Sequence, residues 1–221
     1  MRATYLDNLR GVAVYWMILF HFCYDMRVVG LTDWNFSSGF WFAFPRIIAF
    51  TFLFCVGLSL NFSHRPHVRW KALGMRSLKI GGAAAIVSLS TYLAFPEQWI
   101  YFGTLHCICL GSVLGALVVN HRRFALFLLI LILFTQYVLD FDISYISSVL
   151  KRPSMDFIPI YPWFWAILSG MLIGPYLSKI KALENMPEIS WLSTPGRHSL
   201  KIYLLHQPLI YGLLWGVKSL L

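Results

Sequence analysis

The residues that could do chemistry here are ionisable ones set in apolar surroundings. His21 and Asp25 fall in LDNLRGVAVYWMILFHFCYD, His106 in IYFGTLHCICLG and His206 in GRHSLKIYLLHQPL; Arg46 closes the set. Charged and imidazole groups inside apolar segments are costly and usually serve a site. In a helix, eleven residues make three turns plus about 20°, so Arg10 and His21 share one stripe, about 16 Å apart by rise. Asp25 stands one turn beyond His21, where a carboxylate can fix the imidazole tautomer and raise its basicity, as a general base needs. His106 has a similar depth to His21 by residue counting. His206, counted from the opposite end of its own segment, lies about 10 Å deeper. Before it, Arg197 and Lys201 open a helix and, with Arg10, form a basic cluster suited to a phosphorylated ligand.

These residues need elements that hold them, and composition says which. Of 221 residues, 58% are hydrophobic and 12% charged. A soluble domain carries about 25% charged residues, so lipid must cover the excess apolar surface. Seven apolar segments, at about 9–29, 42–62, 77–95, 103–120, 124–139, 161–178 and 199–218, are long enough to span. Backbone groups in lipid must be satisfied internally, so the segments are helices. The fold expected is an all-α, polytopic transmembrane bundle, one domain over 1–221. Charged residues interrupt the first apolar run, which reads as a retained helix, not a cleaved signal peptide. The mixed stretch 140–160 reads as an outer loop with a short interfacial helix.

Orientation follows from Lys and Arg. With the N-terminus inside, 13 of the 18 basic residues fall on the inner side, which predicts N-in and C-out in a cytoplasmic (inner) membrane. The net charge of +9 is thereby explained by topology and not by nucleic acid. The basic run His64–Lys71 reads as a topology and anionic-lipid signal. Asp140 and Asp142 read as a solvated loop. The four Cys lie in apolar segments; Cys107 and Cys109 point about 200° apart on a helix, which argues against a disulfide or shared metal. No metal is expected.

LDNLRGVAVYWMILFH resembles the opening of transmembrane acyltransferases, which read LD-x-LRG, an apolar run and a His. FPRIIAFTFLFCVGLSL, YFGTLHCICLGSVL, YPWFWAILSGMLIG and GRHSLKIYLLHQPLI resemble bacterial relatives of the heparan-alpha-glucosaminide N-acetyltransferase catalytic domain. The resemblance implies an acyl-CoA donor bound from the cytosol and an acyl group delivered to a sugar of an envelope glycan or glycolipid. Its lysosomal member's proposed active His, in the first lumenal loop, has no counterpart here, since no His falls between 22 and 63. On this reading Arg10, Arg197 and Lys201 hold the CoA phosphates. His21, oriented by Asp25, is the general base, and His106, Arg46 and His206 are the candidate oxyanion donors. The partners implied are the bilayer, the glycan or glycolipid and, in a dimer, a second copy of the chain. The competing expectation is a proton-coupled transporter, since embedded His and Asp also serve proton relays. The absence of a repeated half counts against it.

Overall fold

A computed structural model describes residues 4–141, 153–184 and 186–220. Among these residues the secondary structure is helical, without strands. The helices are α1 (Thr4–Val28), α2 (Gly39–His64), α3 (Trp70–Ala94), α4 (Thr104–Val118), α5 (Arg122–Tyr137), α6 (Ile160–Leu177), α7 (Lys181–Glu184), α8 (Ser190–Arg197) and α9 (Ser199–Lys218). A helix stands on each of the seven apolar segments. By length and composition α2, α3 and α6 can cross a membrane, and α4 is a shorter apolar helix. α1 falls outside that class because Asp7, Arg10, Asp25 and Arg27 interrupt it. Leu78, Leu89 and Leu93 on α3 and Phe127 and Ile130 on α5 present their side chains outward. Apolar faces of this extent are stable in lipid and not in water. Of the stretch 140–160, expected to be a loop with a short interfacial helix, residues 142–152 lie outside the described residues.

The chain divides into two compact units, residues 1–52 with 181–221 and residues 53–180. In the first, α1 ends at Gly30 in a left-handed conformation (φ 78°). Leu31 N–H donates to Met26 C=O at 2.8 Å and Gly30 N–H to Arg27 C=O at 2.9 Å. This 6→1 and 5→2 pair closes a helix on a glycine, because only glycine takes that backbone without strain. α8 then packs on the start of α1 at backbone distance. A Cβ on Gly11 would stand 1.9 Å from Leu192 O, and one on Gly196 would stand 1.9 Å from Asp7 O. Two glycines, one on each helix, are what permit this approach. Further along, Met17, Phe44 and Ile48 form a buried cluster joining α1 to the start of α2, with Phe20, Ile202 and Tyr203 against it.

In the second unit the same device recurs between the end of α2 and α6. Cβ atoms on Gly57 and Gly170 would meet Ile167 O at 2.0 Å and Phe54 O at 2.2 Å. Asn61 Nδ2 donates to Met171 O at 2.9 Å, giving the buried amide a carbonyl partner. The start of α4 is capped from a distance. Gly103 has no side chain to offer, and Asp156 Oδ2 accepts the Thr104 N–H at 2.7 Å. Asp156→Ala is expected to lower stability by about 0.5–2 kcal/mol, the usual cost of losing an N-terminal cap. Thermal unfolding, with faster amide exchange confined at first to Thr104, would check it.

Candidate functional site

The candidate site is a buried polar cluster where α1 meets α9. These helices run parallel. Contacts rise together along both, from Met17 in one cluster with Ile202 and Tyr203, through His21 beside His206 and Asp25 bonded to Gln207, to Gly30 beside Lys218. The ring centroids are 4.9 Å apart with planes at 63°. This corrects the expected 10 Å depth difference. That figure counted each helix from its own end, whereas the glycine-mediated seating of α8 on α1 sets the register.

Asp25 is also reassigned. Its carboxylate is 2% exposed. Gln207 Nε2 donates to Oδ1 and to Oδ2, each at 3.0 Å. No hydrogen bond joins Asp25 to His21, so the carboxylate ties α1 to α9 and does not itself orient the imidazole. The sequence placed Asp25 one turn from His21 on the helix surface; the amide across the interface is the better donor because it reaches both oxygens.

His206 Nδ1 lies 2.7 Å from Tyr203 C=O. A carbonyl can only accept, so Nδ1 carries the hydrogen and Nε2 of the neutral ring is a lone-pair acceptor. That Nε2 is buried and has no partner, and the same holds for His21 Nδ1 and Gln207 Oε1. Each such atom costs about 1–3 kcal/mol, so three together mark a place where folding alone does not explain the residues. Pro208 follows directly, and α9 continues through it.

The basic residues assigned to a phosphorylated ligand lie toward the other end of this unit. Arg10 Nη1 donates to Asp7 Oδ1 at 3.4 Å. Arg197 is paired with Glu188 and donates through Nη2 to Ser193 Oγ at 2.8 Å. Lys201 is exposed. The α1–α8 contact gathers Arg10 and Arg197 at one end. Their acidic partners went unnoticed in the sequence, although the three-residue spacing of Asp7 and Arg10 is a readable helix-pair signal. Asn8, in the same LDNLRG stretch, is 4% exposed, and its amide has no partner at either atom.

Arg46 and His106 are not brought to the histidine pair by any contact within their own units. Arg46 Nη1 donates to Phe42 O at 2.6 Å and its guanidinium stacks 3.6 Å from the Phe42 ring centroid, on an exposed face of α2. His106, in the second unit, has both ring nitrogens engaged. Nδ1 accepts the Gly103 N–H at 3.2 Å, so Nε2 carries the hydrogen and faces Ser88 Oγ at 3.2 Å. Ser88 passes its own hydrogen to Ile100 O at 2.6 Å. The cysteines are free, with Cys23, Cys55 and Cys107 buried and Cys109 half-buried.

No curated protein and no solved structure matches the chain. The family model described as heparan-alpha-glucosaminide N-acetyltransferase, catalytic, matches residues 2–208, a span that takes in LDNLRG, His21, Asp25 and the His206–Gln207 pair. Apolar helices with outward-facing side chains and a match over nearly the whole length place it among membrane acetyltransferase-type proteins: the chain belongs to the heparan-alpha-glucosaminide N-acetyltransferase catalytic-domain family.

Proposed function

We propose that the protein is a multi-pass acyltransferase of the cytoplasmic membrane that moves an acetyl or other acyl group from cytosolic acyl-CoA to a hydroxyl or amine of an envelope sugar or glycolipid. The observation that carries this reading is the histidine pair with unpartnered ring nitrogens, held between parallel α1 and α9. Parallel first and last helices are what an odd number of crossings requires, which supports seven spans; the Lys and Arg excess on one side supports an N-terminus inside. In that orientation Arg10, Arg197 and Lys201 face the cytosol. Donor phosphates would compete with Asp7 and Glu188 for the two guanidinium groups, and the pantetheine arm would follow the Arg10–His21 stripe, about 16 Å long.

His21, the less buried of the two rings, takes the proton from the acceptor X–H. The freed oxygen or nitrogen attacks the thioester carbonyl carbon. The C–S bond breaks, and the proton returns to sulfur as CoA leaves as the thiol. His106 orders the α3–α4 connection in this reading, and Arg46 caps its own turn of α2.

The test is transfer from radiolabelled acetyl-CoA by the purified protein in liposomes, offered glucosamine-terminated glycans and glycolipids. Release of CoA thiol that depends on the acceptor is expected. Proton-coupled solute flux without acyl-CoA, and no acyl transfer, would replace this reading with a transporter.

A further inference from the structure

We infer that His206 is the positioning residue that sets the tautomer of His21, taking the role expected of Asp25. The inference rests on the acyltransferase reading for its catalytic consequence. Its geometry stands independently.

The hydrogen bonds leave one consistent assignment. Tyr203 C=O fixes the hydrogen of His206 on Nδ1, so His206 Nε2 can only accept while the ring is neutral. Of the other two unpartnered atoms, Gln207 Oε1 can only accept, which leaves His21 Nδ1 on the adjoining ring as the one able to donate. Ring centroids 4.9 Å apart are within the span of a direct N–H···N bond after a small ring rotation. A hydrogen on His21 Nδ1 can satisfy both orphaned nitrogens at once, whereas a hydrogen on His21 Nε2 leaves both without a donor. His21 therefore carries its hydrogen on Nδ1 and keeps Nε2 free as the base. When His21 takes the acceptor's proton at Nε2, the imidazolium is held by Nδ1–H donating to His206 Nε2. The same proton leaves on the CoA sulfur, and His206 ends unchanged. The arrangement has the logic of a base oriented by a third group, with an imidazole where a carboxylate commonly stands.

Asp25 and Gln207 complete the frame. By clamping α1 to α9 at the residue next to His206, they fix the ring spacing on which the bond depends.

The test uses the full chain with His206→Phe, which keeps a ring but no acceptor, and His206→Gln, whose Oε1 can stand where Nε2 was. Tautomer-linked losses run to about 10²–10⁴-fold. His206→Phe is expected to lower kcat by that order while KM for acetyl-CoA stays within about twofold; His206→Gln is expected to recover at least about tenfold of the loss. Nitrogen-15 NMR of labelled histidine in the wild-type protein should show His21 protonated at Nδ1 and bare at Nε2, and in His206→Phe a mixture of tautomers. A wild-type His21 protonated at Nε2, or a folded His206→Phe with wild-type kcat, overturns the inference. A wild-type protein with no acyl transfer sinks the acyltransferase reading instead, and the NMR tautomer still decides whether His206 sets His21.

Discussion

Replacing His21 with alanine is expected to reduce acyl transfer by at least about 10³-fold while the protein still folds. General-base loss alone accounts for about 10²–10⁴-fold. The substitution also removes the α1 ring that packs edge-on against His206. Folding should survive because His21 makes no hydrogen bond and leaves Nδ1 unpartnered. Its removal therefore relieves a buried polar cost as well as losing edge-to-face packing on Phe20, whose ring centroid is 5.4 Å away. The experiment pairs transfer kinetics with a thermal melt in detergent. An unchanged melt with transfer gone is the expected outcome. Transfer kept within a few fold would remove His21 from the chemistry, and with it the reading of the α1–α9 cluster as an active site. KM for acetyl-CoA is expected to hold, because the donor's phosphates are assigned to Arg10, Arg197 and Lys201, about 16 Å down the helix by rise.

The second large effect is structural. Gly11→Ala or Gly196→Ala is expected to destabilise the protein by about 3 kcal/mol or more, at or beyond the upper end of ordinary overpacking. The added Cβ would stand 1.9 Å from a backbone oxygen in either case, and a helix backbone cannot give way as the tip of a side chain can. α8 must then lift from α1. That shift would break the register that brings His206 beside His21, so transfer should fall together with stability. Gly74→Ala and Gly216→Ala are the controls. Nothing lies within 4 Å of a Cβ at either position, and alanine is the better helix former by about 0.5–1 kcal/mol. Unfolding in detergent, followed by circular dichroism, separates the two classes. Equal melts for Gly11→Ala and Gly74→Ala would show that α1 and α8 do not approach as described.

Much was legible in the residues themselves. A run of about 20 apolar residues has one stable backbone in lipid, so helices on the seven segments followed from length and hydropathy. The common stripe of Arg10 and His21 followed from helical rise and rotation, which are fixed within one helix. The LDNLRG and GRHSLKIYLLHQP stretches pointed to a family, and the match over residues 2–208 bears that out.

What the sequence left open lies between helices. Spacing along one helix says nothing of its register against the next, and here that register depends on two glycines 185 positions apart that let α1 and α8 touch backbone to backbone. From this contact come the equal level of His21 and His206 and the capture of Asp25 by Gln207. Glu188 beside Arg197 and Asp156 at the start of α4 were likewise invisible as partners, since short-range electrostatics has no sequence signature when the residues come from different elements. The sequence by itself determined which groups could act and on which helix each would stand. The tertiary structure decided which of them meet, because a hydrogen bond forms or fails within an ångström and only packing sets distance that finely.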